Sequence, residues 1–79
     1  MPKYDIDLKM WARLENDYKY HSPIGDQAER YVTIRNKAKE LAITICECTP
    51  VSREQSVALT NLEQVVMMAN ASIARNEKG

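Results

Sequence analysis

The side chains best suited to chemistry in this chain are tyrosines and arginines that flank one short loop, residues 21–25. Three aromatic residues surround the loop, and two guanidinium groups follow on the next two helical turns. An aromatic face can stack on a nucleobase, and a guanidinium can fork onto a phosphate. The pattern therefore indicates binding of a nucleotide-like anion. The residues are Tyr18, Tyr20, Tyr31, Arg30 and Arg35.

Each of these residues also has a simpler interpretation. Tyr31 lies on an apolar stripe, which favours a place in the core. Tyr20 is off any clear stripe and is more open to a ligand role. Arg35 flanks the stripe, where it could equally pair with an acid of a neighbouring helix.

Two further candidates lie near the end of the chain. Asn70 has small neighbours, and a buried Asn in a helical interface often sets its register. A hydrogen bond from Asn70 to a ligand is the other interpretation, and both stay open. Arg75 lies near a helix C-terminus, where its charge interacts favourably with the helix dipole, and this alone accounts for an arginine at that position.

Few residues in this chain are suited to catalysis or to metal binding. His21 and Ser22 are adjacent, with no second acid and no oxyanion-forming glycine turn. Cys46 and Cys48 point about 200° apart on a helix, so they cannot form a disulfide with each other or coordinate one metal ion together. We expect them to be small buried hydrophobes. The sequence predicts no catalytic residue, no metal and no cofactor, and hence a protein that is not an enzyme.

The elements that must position these residues are all helical. In the segment 1–20, Leu8, Trp11, Leu14 and Tyr18 share one stripe, which predicts a short helix over 5–20. The segment 21–79 reads as one helical-hairpin domain. Together they form a single small domain.

Capping signals set the bounds of the hairpin. Asp26 with Glu29 reads as an Asp variant of the capping box and begins a helix that runs to about Cys48. Ser52 with Gln55 is a second capping box, which opens a helix to Arg75. A connection this short forces the two helices antiparallel. Their apolar stripes repeat every seven residues: Tyr31, Ile34, Ala38, Leu41 and Ile45, then Leu59, Leu62, Val66, Ala69 and Ile73.

The last helix is apolar on every face over 65–69. Such a helix must be buried all round, and 79 residues offer too little material to cover it. Val65, Met67 and Met68 lie off the hairpin stripe and normally mark an interface. The sequence therefore predicts a homo-oligomer of an all-α chain.

Composition narrows the partners. The net charge is zero, from 11 basic and 11 acidic residues. This argues against a polymeric nucleic acid, which needs a strong positive field, but permits a small anion held by a few cations. No apolar run is long enough to span a membrane, and no signal peptide is evident. The two helical cysteines fit a reducing cytoplasm.

Four stretches resemble the helical-hairpin domain of small phage proteins, the anti-CBASS cyclic-nucleotide sponges and the related anti-Thoeris sponge. The resemblance covers about residues 18–77. It is carried by helix caps, apolar spacing and a tail motif, with no catalytic signature. The stretches are Tyr20–Tyr31 (YHSPIGDQAERY), Ala38–Ala42 (AKELA), Ser52–Thr60 (SREQSVALT) and Ala69–Glu77 (ANASIARNE).

The resemblance implies a compact homo-oligomer, commonly a hexamer, that sequesters immune messengers without cleaving them. It assigns Tyr20 to base stacking and Arg35 to a phosphate, in pockets between subunits. A second, cyclic-trinucleotide site would use Asn70 and Arg75, although Ala71 stands where a basic residue is expected.

The leading hypothesis is a phage sponge for cyclic oligonucleotides or a cyclic ADP-ribose-type signal, acting in the host cytoplasm. Its candidate ligand-binding residues are Tyr20, Arg35, Tyr31, Arg30, Asn70 and Arg75. The alternative hypothesis is a non-enzymatic module that docks a partner protein through its Met-rich face.

Overall fold

The computed structural model describes residues 3–20 and 22–77 as three α-helices, with no strand in those ranges. They are α1 (Leu8–Asp17), α2 (Gln27–Cys48) and α3 (Arg53–Asn76). Helices α2 and α3 pack along each other as an antiparallel hairpin, which confirms the predicted fold class. We define the open end of the hairpin as the end where α2 begins and α3 ends.

Helix α1 is shorter than the predicted range 5–20. Its N-cap is Asp7, whose carboxylate accepts a hydrogen bond from the Met10 amide at 2.7 Å. An Asp in this position satisfies one of the donors that the first helical turn leaves free. The helix ends at Asp17, and the Tyr18 amide still donates to the Leu14 carbonyl at 3.1 Å.

The start of α2 differs from the predicted capping box. Gly25 adopts a left-handed φ of 54°, as a tight turn requires. The Asp26 side chain makes no capping hydrogen bond, so that prediction was wrong. Its carboxylate turns instead toward Arg30, 3.1 Å from Nε. The Gln27 side chain closes the turn, since its Oε1 accepts from the Ile24 amide at 3.0 Å.

The connection between α2 and α3 forms only one of the two hydrogen bonds of the predicted capping box. Ser52 Oγ accepts from the Gln55 amide at 3.1 Å, which confirms Ser52 as the N-cap of α3. The Gln55 side-chain amide does not complete the predicted reciprocal bond. It donates to the Thr49 carbonyl and hydroxyl, each at 3.1 Å. This ties the start of α3 to the end of α2 across Pro50 and fixes the tight turn.

The packed face of α2 departs from the predicted stripe at one position. Leu41 is 49% exposed, whereas its neighbour Ala42 is half-buried. The other four residues of the stripe, Tyr31, Ile34, Ala38 and Ile45, are half-buried as expected. All five residues of the predicted α3 stripe are half-buried, as expected.

A single chain buries no apolar side chain in the described ranges. The molecule extends 50 × 38 × 15 Å, and its smallest dimension is little more than one helix diameter. A single layer of helices cannot enclose a core. Cys46 and Cys48 are consequently exposed free thiols, contrary to our expectation of burial. No helix among the described residues is long and apolar enough to cross a membrane.

Candidate ligand-binding cleft

A shallow cleft lies at the open end of the hairpin and has a volume of about 490 Å³. All three helical segments contribute to it. The end of α1 and the following linker supply one wall, the second and third turns of α2 supply another, and the last two turns of α3 supply the floor. The lining residues are Asp17, Lys19, Tyr20, Tyr31, Arg35, Asn70, Ala71, Ala74 and Arg75.

Five of the six predicted binding residues line this cleft, although they are far apart in sequence. Tyr20 is 82% exposed, so its ring is available for stacking. Arg35 is exposed and has no ion-pair partner among residues 3–20 and 22–77. Tyr31 is half-buried, which places it both on the packed face of α2 and at the edge of the cleft.

Arg75 already has a carboxylate partner in the cleft. Its Nε lies 3.6 Å from Asp17 Oδ1, while the other Asp17 oxygen lies 3.6 Å from Arg13. The Arg75 carbonyl accepts a hydrogen bond from Asn16 Nδ2 at 3.4 Å. These contacts attach the end of α1 to the end of α3 and hold Tyr20 beside the hairpin.

Asn70 presents an unusual polar atom. Its Oδ1 is excluded from solvent and has no hydrogen-bond partner among residues 3–20 and 22–77. An acceptor left in this way costs about 1–3 kcal/mol, because the lost hydration is not replaced. A bound ligand or a neighbouring chain could supply the missing donor, so the ligand role and the register role both stay open.

Arg30 lies outside the cleft and faces the end of the chain. Its Nη1 lies 2.8 Å from Glu77 Oε2, its Nη2 donates to Glu77 Oε1, and its Nε lies 3.1 Å from Asp26. The hydrogen bonds from Arg30 lower the pKa of Glu77 to about 2, and those to Glu77 raise the pKa of Arg30. A ligand role for Arg30 stays a prediction.

The charges of the cleft favour an anion. Lys19, Arg35 and Arg75 are opposed by one carboxylate, Asp17, which leaves two positive charges in a chain of zero net charge. Sequence inspection missed Lys19 as a cleft residue. Its position directly before Tyr20 was the available signal, because a linker that places Tyr20 in the cleft brings its neighbour along.

The described residues contain no group of three potential metal ligands. His21, the one histidine, lies outside the described residues. What the cleft offers is an aromatic ring, amide and guanidinium donors and a positive field, a set suited to binding the base and phosphates of a nucleotide.

Comparison with known proteins identifies the fold. No curated protein and no solved structure matches the chain. The family model described as "Acb2/Tad1, hairpin domain" matches residues 10–74, from α1 to the last turns of α3. This range takes in most of the cleft-lining residues. The family match is consistent with a binding protein that acts as a sponge for cyclic nucleotides rather than with an enzyme. The chain belongs to the Acb2/Tad1 hairpin-domain family.

Proposed function

We propose that this protein is a phage sponge that binds cyclic nucleotide messengers and sequesters them without cleaving them. The observation that carries the proposal is the cleft at the open end, which unites Tyr20, Arg35 and Asn70 from three separate segments. Tyr20 stacks on a base, Arg35 binds a phosphate, and Asn70 hydrogen-bonds an edge of the ligand. Tyr31 and Arg75 complete the contacts, and the site acts in the cytoplasm of the infected cell.

The energetics favour more than one chain per ligand. One base stack contributes about 1–3 kcal/mol, and one charge-assisted hydrogen bond contributes about 1.5–3 kcal/mol. Nanomolar binding needs about 12 kcal/mol, more than one stack and one or two phosphate contacts supply. Two chains that each present Tyr20 and Arg35 reach this range. Because the cleft is open, a second chain would also close it over the ligand.

The exposed surface supports assembly with further copies. The accessible surface of the chain is 6907 Å². A compact monomer of 9.1 kDa has about 4,900 Å². The excess of about 2,000 Å² corresponds to two or three standard interfaces, each covering about 800 Å² per partner. We propose a homo-oligomer, a hexamer by family resemblance, in which the apolar residues that one chain leaves exposed become buried.

A second candidate function is docking of a partner protein. Val65, Met67 and Met68 are 61–67% exposed on one stretch of α3. A surface of this kind normally marks an interface, and methionine repacks easily against different partners. In this alternative, function depends on Met67 and Met68, and the cleft binds no nucleotide.

The test is titration calorimetry of the purified protein with cyclic di-AMP, cyclic tri-AMP and cyclic ADP-ribose isomers. We expect sub-micromolar binding to at least one of them, and recovery of the unaltered ligand after heat denaturation. Tyr20→Ala and Arg35→Ala should each weaken binding by about tenfold or more, the equivalent of one lost contact of about 1.4 kcal/mol.

Two matched variants control for general damage. Tyr18 is 85% exposed and two residues from Tyr20, but it lies outside the cleft, so Tyr18→Ala should leave affinity unchanged. Arg53 at the other end of the hairpin serves the same purpose for Arg35. Absence of binding by a folded oligomer, or release of a cleaved ligand, would overturn the proposal.

A further inference from the structure

A forked ion pair joins α2 and α3 at the open end of the hairpin, between two residues that do not line the cleft. Arg30, in the first turn of α2, engages both carboxylate oxygens of Glu77, which is the C-cap of α3. Two parallel N–H···O bonds of this kind fix orientation as well as distance, which a single contact from lysine cannot do.

A second side chain reinforces the same junction. Gln27 is only 4% exposed and is the one buried residue in the described ranges. Its Nε2 lies 3.4 Å from both the carbonyl and the Oε1 of Glu77, while its Oε1 accepts from the Ile24 amide. The side chain thus joins the loop before α2 to the end of α3. We name Gln27, Arg30 and Glu77 the terminal clasp.

The terminal clasp and the cleft share the same helical turns. Arg30 directly precedes Tyr31, and Glu77 follows Arg75 by two residues. Successive helical residues are rotated by about 100°, so one turn of α2 presents Arg30 to the clasp and Tyr31 to the cleft. The spacing and rotation of α2 and α3 at the open end therefore determine how Tyr31 and Arg35 face Asn70 and Arg75.

The contacts of Arg30 leave little role for it as an anion-binding group. Its three guanidinium nitrogens all engage carboxylates, Nε with Asp26 and both terminal nitrogens with Glu77. A phosphate brought to this group would meet two negative charges beside it. Arg35, in contrast, faces the cleft with no ion-pair partner in the described ranges.

We infer that Arg30, Gln27 and Glu77 are positioning residues. They hold the start of α2 against the end of α3 and thereby preorganise the ligand cleft. The inference rests on the proposed function for its effect on affinity, but the closure itself is independent of any ligand. It also reassigns Arg30 from a ligand contact to a group that acts through Glu77.

The expected size of the effect follows from population arithmetic. If loss of the clasp leaves the binding arrangement in about a tenth of the molecules, the apparent Kd rises about tenfold. Arg30→Gln and Glu77→Gln should therefore weaken binding of cyclic di-AMP and of cyclic tri-AMP by similar factors. The double variant should be no weaker than either single variant, because both substitutions break the same contact.

Asp26→Asn is the matched control for this cycle. Asp26 also contacts Arg30, but both residues lie at the start of α2, so their contact cannot hold the helices together. This variant should bind as the unaltered protein does. Arg30→Lys keeps the charge without the fork, and we expect it to restore only part of the affinity.

A ligand-free measurement separates the clasp from the proposed function. Spin labels are placed at the exposed positions Glu29 and Ser72, in a background with both native cysteines changed to serine. Labelled chains are diluted with unlabelled chains so that only distances within one chain are read. Glu77→Gln should broaden and lengthen the label-to-label distance distribution, while Asp26→Asn should leave it unchanged.

Two results would overturn the inference. One is an unchanged distance distribution in Glu77→Gln, whether or not the protein binds a nucleotide. The other is a binding cycle in which Arg30→Gln is far more damaging than Glu77→Gln and the two effects add, because this would make Arg30 a direct ligand contact. If Glu77→Gln widens the open end but the unaltered protein binds none of the probes, the role of the clasp stands and only the proposed function is refuted.

Discussion

Asp17 Oδ1 lies 3.6 Å from Arg75 Nε inside the cleft that Tyr20 and Arg35 also line. An anion that enters the cleft to reach Arg75 must compete with this carboxylate. The Asp17 side chain is 23% exposed, so the competition takes place in a partly dehydrated setting, where charges are less screened than on an open surface. Asp17 therefore limits how strongly Arg75 can attract a phosphate.

The first prediction concerns removal of that competition. Asp17→Asn should tighten binding of cyclic di-AMP by about two- to fivefold, since the Arg75 side of the ion pair is 40% exposed and water limits such a pair to about 1 kcal/mol or less. Calorimetry at two salt concentrations measures the change, and Asp5→Asn, at an exposed position outside the cleft, is its control. Weaker binding would instead show that Asp17 is needed to hold Arg75 and the end of α1 in place.

The second prediction concerns the unpartnered oxygen of Asn70. Asn70→Ala removes a buried acceptor that meets no donor in the part of the chain that the structure describes, so the ligand-free protein should be no less stable in thermal unfolding. If Asn70 binds ligand, affinity falls by about tenfold, or one hydrogen bond, and the oligomer is unchanged. If Asn70 sets the register between chains, light scattering instead shows an altered oligomer, and this outcome would contradict the ligand role.

Local sequence signals predicted the helices well, because caps and turns depend on residues a few positions apart. Ser52 caps α3 as its pattern indicated, and Gly25 occupies a left-handed turn. The capping box predicted at Asp26 does not form, for a reason that the Asp26–Glu29 spacing does not contain. Arg30, one turn further along, offers the carboxylate a charged partner, which is a stronger hydrogen-bond donor than a neutral amide.

The cleft was predicted only in part, since its assembly depends on contacts between distant segments. The types of Tyr20 and Arg35 indicated base and phosphate chemistry, but nothing local showed that Asp17 meets Arg75 across 58 positions. The partner of Arg30 was equally hidden, because Glu77 lies in a polar tail with no periodic pattern. Its position becomes evident only when α2 and α3 run antiparallel.

The third prediction follows from the low pKa of Glu77. Its pKa falls from an ordinary value of 4.5 to about 2 in the folded chain, chiefly through hydrogen bonds from Arg30. A lowered folded-state pKa stabilises the protein above the unfolded value, and this contribution is lost as the pH falls from about 4.5 to about 2. The free energy of unfolding of Glu77→Gln should therefore approach that of the unaltered protein across this window.

Urea unfolding at pH 6, 4, 3 and 2.5 measures this convergence, at one fixed protein concentration because assembly makes stability depend on concentration. Asp26→Asn is the comparison, since it removes a carboxylate that touches the same arginine without spanning the helices. A difference between Glu77→Gln and the unaltered protein that stays constant down to pH 2.5 would contradict the assigned ion pair.

The fourth prediction distinguishes self-assembly from docking of another protein. Met67 is 67% exposed, and a glutamate there would have to lose its hydration if the face is buried between copies. Met67→Glu should therefore shift the protein toward monomers in analytical ultracentrifugation. It should also weaken nucleotide binding, because one chain supplies only part of the proposed site.

Ser56→Glu is the matched control, since it adds the same charge at an exposed position of the same helix, about three turns away from Met67. We expect it to leave both assembly and binding unchanged. Partner docking has a different signature: the protein would bind no nucleotide, and Met67→Glu would leave the oligomer intact yet abolish the biological effect of the protein in cells. That result would transfer the function from the cleft to the Met-rich face, because a residue that affects neither assembly nor ligand can act only through a third molecule.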